Sequence, residues 1–284
     1  MKVLSSLVGL ALLASTGQAH AVAREQGWSV GLGAFWAKVD SKLNARVIGR
    51  EEPYRVDLEN DLALEQSKNS PFIEIAYGFN ERHSLSLNYI NLNRTGFTEG
   101  VTRPFDFTLG GVDYSIGAAA QITTKLDIDI YQLMYGYSFY PTENSRIALT
   151  AGAHIMRFNL GFSGDIQIID AMNPDDRVNI PITDDGVEGK ATAPLPDIGV
   201  YGSYQLAPDW LLVGNAQYFA ISLDSVSGGL VDLRLELSKY FTDNFSVGLA
   251  YQYYQAEAKE TGFLGEMDAR FTYWGPELSL RYFF

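Results

Sequence analysis

The chain has 284 residues, a formal net charge of −13 and no cysteine, and it is rich in aromatic side chains. The absence of cysteine excludes a disulfide framework, a thiolate metal site and a cysteine nucleophile. The negative charge argues against binding nucleic acid or other polyanions through bulk electrostatics. We therefore predict neither a nucleic-acid partner nor a cofactor.

The first 21 residues have the pattern of a cleaved export signal. Lys2 supplies a basic start, residues 3–14 form an apolar run, and Ala19-His20-Ala21 matches a cleavage site. The run is too short for a transmembrane helix, which needs about 20 apolar residues, and no second run is long and apolar enough to form one. We expect residues 1–21 to be removed and residues 22–284 to form one domain. In a membrane, that domain would have to be a β-barrel. Lipid offers no hydrogen-bond partners, so every backbone amide must be paired within the protein.

Ten segments alternate apolar and polar side chains with the period of two that a β-strand produces. In the first segment, Trp28, Leu32 and Trp36 fall on one face and mostly small residues fall on the other. The ten segments are 28–36, 73–79, 85–89, 131–139, 147–155, 198–206, 210–218, 233–241, 245–253 and 274–284. An apolar outer face and a polar inner face are typical of strands in a lipid-embedded barrel. The pattern predicts an all-β fold, a transmembrane antiparallel up-and-down β-barrel with ten strands.

The connections between these segments alternate in length. Short turns occur near residues 81, 142, 208 and 243, and the longer connections are 40–70, 93–130, 157–195, 222–230 and 256–272. Short turns are typical of the periplasmic side and long loops of the exterior. Counts of eight or twelve strands stay open, because residues 54–64 could form an extra hairpin arm. The alternative fold is a soluble β-sandwich, but the aromatic residues near the segment ends favour a barrel in the cell outer membrane.

Polar residues on the inner faces predict what fills the lumen. They include Glu74, Arg234, Glu236, Gln252, Glu277 and Arg281. Side chains just fill a barrel of about eight strands, whereas about 16 strands leave a water channel, so ten strands lie near the filled end. Buried charges must be paired. We therefore predict an ionic and amide network in a largely filled polar lumen, with a narrow channel for ions or small solutes as the alternative.

One group of residues could form a catalytic site. His154 lies inward in phase on the fifth segment, and Asp197 lies inward at a similar height on the sixth. Asp129 joins them if the strand phase shifts by one residue, as at a β-bulge, between Ile130 and Tyr131. An Asp–His pair can position and activate a water or a hydroxyl group. A rim hydrolase centred on His154 is therefore a second alternative, although we predict a satisfied polar lumen histidine and no enzyme.

The connection 157–195 is rich in acidic residues: Asp165, Asp170, Asp175, Asp176, Asp184, Asp185 and Glu188. These residues lack the spacing of a calcium-binding loop with a glutamate at its twelfth position. We expect a solvated acidic loop and no metal site. His83, beside a short turn, is expected to be a solvated turn residue.

The export signal, the short-turn hairpins such as 204–210, and the ending Gly275-Pro-Glu-Leu-Ser-Leu-Arg-Tyr-Phe-Phe284 carry a family resemblance. The chain resembles the small outer-membrane β-barrels of proteobacteria, the broad group that contains the OmpA membrane domain and the OmpW-like proteins. In that group the barrel-assembly machinery reads a C-terminal phenylalanine with alternating apolar partners. The resemblance implies that Phe284 and Tyr282 act as the assembly signal here. It also implies periplasmic chaperones, outer-membrane lipids and lipopolysaccharide as partners.

These observations predict a non-catalytic outer-membrane barrel with a structural or surface-interaction role through its extracellular loops. They do not identify an extracellular ligand. The peptidoglycan-binding domain that follows the OmpA barrel has no counterpart in the sequence, so we expect no anchoring to the cell wall.

Overall fold

A computed structural model describes residues 25–47, 54–102, 104–109, 112–169, 177–222, 226–262 and 265–284. The predicted export signal lies outside the described residues. Ten long strands form a barrel: β1 (Gly27–Val47), β3 (Ser67–Gly78), β4 (His83–Asn91), β8 (Ile122–Pro141), β9 (Ser145–Ile169), β10 (Arg177–Ala207), β11 (Trp210–Ser222), β12 (Val226–Thr242), β13 (Phe245–Gly262) and β14 (Gly265–Phe283). The shorter elements are β2 (Tyr54–Asp57), α1 (Leu58–Asp61), β5 (Arg94–Thr98), β6 (Phe105–Leu109) and β7 (Val112–Ile116). Within the described ranges, no helix is long and apolar enough to cross a membrane.

The barrel closes between its first and last strands. β1 pairs antiparallel with β14 from Ser29 opposite Phe283 to Val47 opposite Gly265, and its other edge pairs with β3. The remaining long strands pair with their neighbours in chain order, with β4 beside β8. Each of the ten predicted segments lies in one of the ten long strands, except that Phe79 and Phe284 fall one residue beyond β3 and β14. The prediction of a ten-strand antiparallel barrel is therefore confirmed, and counts of eight and twelve are wrong.

A belt of apolar side chains surrounds the outside of the barrel. Its exposed members include Trp28, Leu32, Trp36, Leu85, Leu133, Tyr137, Leu149, Val200, Tyr204, Tyr218, Leu235, Leu249, Tyr251, Leu280 and Tyr282. A soluble β-sandwich would bury these faces, and an apolar surface this extensive is unstable in water. Because the backbone is paired around a closed barrel, the belt can face lipid without unpaired amides. The chain is therefore a transmembrane barrel of the outer membrane.

The four short turns lie together at one end of the barrel, which we call the short-turn end. At the other end the strands continue past the belt as an extension. On β9 the exposed apolar residues stop at Ile155, and the strand continues to Ile169, a rise of roughly 35 Å at 3.3 Å per residue and a tilt near 40°. Much of the sequence between 157 and 195, which we predicted to be a loop, is instead the paired hairpin of β9 and β10.

The polarity of the two faces inverts where a strand leaves the belt. On β8, Leu133 is exposed on the outer face and Gln132 is buried inside, but higher up Lys125 is exposed outside and Ile128 is buried inside. The pairing of β8 with β9 stays in register across this boundary, from Ile122 to Ser138. Water replaces lipid around the extension, so the outer face becomes polar and the inner face can form an apolar core.

This core closes the lumen at and above the upper edge of the belt, and we call it the apolar layer. Its buried members include Phe35, Ala37, Val39, Leu58, Leu62, Leu64, Phe72, Ile90, Leu92, Ile128, Ile130, Met156, Tyr254, Phe271 and Tyr273. Most are inward side chains of the barrel wall. Leu58, Leu62 and Leu64 come from the segment between β2 and β3, which packs into the same core.

Candidate functional site in the barrel lumen

Below the apolar layer, five charged side chains form one connected ionic cluster. Arg234 Nε donates to Glu277 Oε2 at 2.7 Å, and Arg234 Nη2 donates to Glu236. Arg281 donates from Nη2 to Glu74 Oε2 at 3.0 Å and from Nη1 to Glu236 Oε1 at 3.4 Å. The structure thus brings all five of the charged residues predicted for the lumen network together, on strands β3, β12 and β14. Two guanidinium groups hold three carboxylates across the lumen.

A glycine makes room for the central carboxylate of this cluster. A Cβ atom at Gly248 would lie 2.7 Å from Glu236 Oε1 and 2.6 Å from Ser279 Oγ, closer than real Cβ atoms approach. The same carboxylate oxygen accepts a hydrogen bond from Ser238 Oγ at 2.5 Å. Because two arginines and a serine hold Glu236, it cannot move aside cheaply. Gly248 is therefore a structural requirement of the ionic cluster.

His154 lies higher in the lumen, between two carboxylates. Its Nδ1 is 2.7 Å from Asp197 Oδ2, and its Nε2 is 3.4 Å from Asp232 Oδ2, a distance typical of an ion pair rather than a well-formed hydrogen bond. All three residues are buried, and His154 is only 1% exposed. The predicted approach of His154 and Asp197 is present in the structure, and Asp232 completes the group.

Three amide side chains extend this group across the lumen. Gln252 Nε2 donates to Asp232 Oδ1 at 2.8 Å, and Gln132 Nε2 donates to Asp232 Oδ2 at 3.1 Å. Asn88 Nδ2 in turn donates to Gln132 Oε1 at 3.2 Å. Gln252, which we predicted in the lumen network, therefore bonds to the histidine group rather than to the ionic cluster.

Asp129 does not join His154, which corrects the prediction. It lies on the outer face of β8, where it accepts hydrogen bonds from Tyr89 Oη and Asn91 Nδ2, both at 2.7 Å. The β8–β9 register is continuous through Ile130 and Tyr131, so the expected bulge does not occur there. The alternation in the sequence shifts phase at this point because the outer face changes from apolar to polar at the edge of the belt, while the strand itself continues without a shift.

Aromatic side chains separate His154 from the extension. The ring of Tyr254 lies 5.7 Å from the imidazole, centroid to centroid, and stacks on Tyr273 at 4.7 Å. Tyr254 Oη also donates to Met156 Sδ at 3.1 Å. These residues belong to the apolar layer, so the histidine is closed off from the exterior side.

A buried ion pair joins the segment between β2 and β3 to the barrel wall. Arg94 Nη1 donates to Glu59 Oε1 at 2.5 Å, and Arg94 Nη2 donates to Ser41 Oγ at 2.7 Å. Burial lowers the pKa of the Arg94 guanidinium, and the hydrogen bond from Arg94 to Glu59 acts in the opposite direction. This contact lies in the extension and attaches helix α1 to β1 and β5.

A cavity of about 180 Å³ lies beneath His154, toward the short-turn end. Near that end, Arg146 Nη1 donates to Glu25 Oε2 at 3.1 Å, and Tyr201 Oη donates to Glu25 Oε1 at 2.6 Å. All three of these residues line the cavity, as do His154 and Arg234. The cavity therefore connects the polar groups of the lumen with the short-turn end.

Sequence reasoning missed Asp232, Arg146 and Glu25. Asp232 could have been found, because it lies two residues before Arg234 on the inward phase of the same strand. Arg146 is likewise in inward phase with His154. Glu25 precedes the first alternating segment, so no periodicity indicated that its carboxylate reaches into the lumen.

The other predicted residues lie away from the lumen. His83 is the first residue of β4, directly after the turn, where its Nδ1 is 2.5 Å from Tyr135 Oη. Part of the acidic stretch, residues 170–176, lies outside the described residues. Across the described parts of the chain, no group of three or more histidine or acidic residues has a geometry that could hold a metal ion.

Phe284 is 73% exposed at the outer edge of the last strand, with its ring 5.0 Å from that of Tyr282.

Comparisons with known proteins support the fold. No protein-family model matches the sequence, and no curated protein matches it. The chain is structurally similar to the outer membrane protease OmpT from Escherichia coli, with 12% identity, a TM-score of 0.56, and coverage of 90% of this chain and 96% of that chain.

Two further solved structures match with lower scores. The toluene transporter TbuX from Ralstonia pickettii matches with 11% identity and a TM-score of 0.37, covering 91% of this chain and 90% of that chain. The outer membrane protein OprG from Pseudomonas aeruginosa matches with 9% identity and a TM-score of 0.35, covering 94% of this chain and 99% of that chain. At these identities the similarity concerns the fold alone. That fold is an outer-membrane β-barrel, as the family resemblance implied.

Proposed function

We propose that this chain is a non-conducting, non-catalytic barrel of the outer membrane, which acts through the extension that it presents beyond the lipid. The observation that carries the proposal is closure of the lumen by two barriers in series. Fully buried apolar side chains close the extension, and the ionic cluster crosses the lumen below them. The role that fits is structural or surface interaction.

The apolar layer is the stronger argument against a channel. An ion that crossed it would have to lose its water among side chains that offer no replacement ligands, which costs many kcal/mol. The narrow-channel alternative would need the segment around Leu58, Leu62 and Leu64 to leave the apolar layer. Its buried Arg94–Glu59 contact opposes such movement.

Single-channel recording in planar bilayers tests the closed lumen. We expect no stable conductance steps from the folded wild-type barrel. A variant in which a Gly/Ser linker replaces residues 56–64 removes part of the apolar layer and should leak more often. Reproducible wild-type steps of uniform size would replace this proposal by the channel alternative.

Three observations support the absence of catalysis at His154. The imidazole is buried under Tyr254, both of its nitrogens face carboxylates, and Asp129 points away from it. A hydrolase would need an accessible water or hydroxyl group beside the histidine. We therefore propose that Asp197, His154 and Asp232 link strands β9, β10 and β12.

An activity screen tests this assignment. The folded wild-type barrel is incubated with peptide, phospholipid and lipopolysaccharide substrates beside His154→Asn. We expect no turnover by either protein. Turnover by the wild type that disappears in a correctly folded His154→Asn variant would establish the rim-hydrolase alternative.

The assembly partners are also part of the proposal. We propose that Phe284 and Tyr282 form the signal read by the barrel-assembly machinery and that the belt contacts lipopolysaccharide. Phe284 N donates to Trp28 O at 2.9 Å, so the last residue is also where the barrel closes. Deleting Phe284 should lower the folded fraction in outer membranes, measured by heat-modifiable gel migration. Phe241→Ala, another exposed aromatic position, should assemble normally.

A further inference from the structure

Arg146 is a buried guanidinium with one unused donor group. It lies near the short-turn end of β9 and is only 5% exposed. Its Nε donates to Ser138 Oγ and its Nη1 to Glu25, but Nη2 has no hydrogen-bond partner within the described part of the chain. An arginine binds a carboxylate best through two parallel hydrogen bonds. Glu25 therefore satisfies Arg146 only in part.

The carboxylate on Arg146 comes from a distant part of the chain. Glu25 precedes β1 and reaches Arg146 on β9 and Tyr201 on β10, at sequence separations of 121 and 176 residues. Arginine and tyrosine donors from two adjacent strands thus form a preformed carboxylate receptor. The carboxylate is tethered at an end of the barrel, where it can leave without unfolding a strand.

The receptor opens into the lumen cavity of about 180 Å³. Small side chains along one wall leave this space, among them Ala76, Gly136, Ala148 and Thr150. An apolar cavity of about 150 Å³ holds a molecule the size of benzene, so the volume suits a small organic molecule. Because the apolar layer closes the other side, entry is from the short-turn end.

We propose that Arg146 and Tyr201 form a binding site for small carboxylates, and that Glu25 occupies this site until a carboxylate ligand replaces it. The exchange keeps the local charge constant, because one singly charged carboxylate replaces another beside Arg146. A ligand free of the tether can also turn to accept from Nη2 as well as Nη1.

Titration of the full-length folded barrel with ¹³C-labelled propionate, followed by NMR in a carboxylate-free detergent, tests the proposal. Wild type should show saturable binding. Glu25→Ala should bind about ten-fold more tightly, because a tethered group competes at an effective concentration in the mM range. Arg146→Gln should lose binding, while Arg270→Gln, which removes an exposed arginine, should bind as the wild type does.

Heat-modifiable gel migration shows that each variant is folded, and Arg146→Lys provides a second variant that keeps the charge but loses the planar fork. Lysine should weaken binding at least several-fold. The proposal is overturned if the wild type shows no saturable binding. This holds even if Glu25→Ala binds, because Glu25 is then only a permanent internal contact. It is equally overturned if folded Arg146→Gln binds propionate normally.

Discussion

The lumen is closed in two chemically different ways, and the comparison explains how this barrel is built. The apolar layer lies at and above the edge of the belt, where the outer face meets water and the inner face forms an ordinary hydrophobic core. The ionic cluster lies within the belt, where the outer face meets lipid and the inner face carries the polar residues. The surroundings of the barrel therefore determine which type of side chain fills the interior.

The two closures should respond differently to substitution. Apolar contacts are non-directional, so a shortened side chain costs its own transfer free energy and the cavity that it leaves. Buried charges depend on one another, so removal of one partner leaves another charge without compensation. The ionic cluster should therefore be the less tolerant of the two.

The largest effect is expected from Arg234→Met. Glu277 would lose its arginine partner and Glu236 one of two, so the free energy of unfolding should fall by about 4 kcal/mol. Urea unfolding from lipid vesicles, followed by tryptophan fluorescence, measures the change. The double variant Arg234→Met/Glu277→Met should recover part of the loss. A single-variant loss below 1 kcal/mol would contradict the mutual dependence of these charges.

Leu62→Ala tests the apolar layer and should cost about 3 kcal/mol, because this fully buried side chain leaves a cavity. The same unfolding assay applies. Leu62→Met, which conserves the volume, should cost less than about 1.5 kcal/mol. Equal losses for Ala and Met would mean that the shape of Leu62, rather than the buried volume, stabilises this layer.

Gly248→Ala probes the space in the ionic cluster. The added methyl group collides with Glu236 and Ser279, so we expect a loss of about 2 kcal/mol in the same assay. Gly202→Ala is the matched control, since its nearest neighbour atom would lie 3.9 Å from the new Cβ. If both substitutions have the same cost, the close approach around Glu236 is not what requires glycine.

The smallest effect is expected from Arg270→Gln. Arg270 pairs with Glu257 at 3.2 Å, but both side chains are about half exposed in the extension. Water screens such a pair, so the free energy of unfolding should change by no more than about 0.5 kcal/mol. A loss close to that of Arg234→Met would show that burial does not distinguish the two arginines.

The sequence predicted one part of the lumen well. Within the belt, lipid outside and polar groups inside produce a strict alternation, so the phase of Glu74, Arg234 and Arg281 could be read directly. The same pattern brought His154 and Asp197 together. The alternation failed where strands leave the lipid, because the apolar face then turns inward. Asp129 was consequently assigned to the wrong face, and most of the apolar layer was assigned to connections between strands.

By itself, the sequence determined the ten membrane strands, which of their side chains face lipid, and which charged side chains face the lumen. Each of these depends on a local period of two residues. Only the tertiary structure decided which charges meet, that residues 58–64 close the extension, and that Glu25 binds Arg146 across the lumen. These contacts join residues far apart in the chain. They depend on barrel closure and strand register, which brings distant inward positions to one height and which no local periodicity encodes.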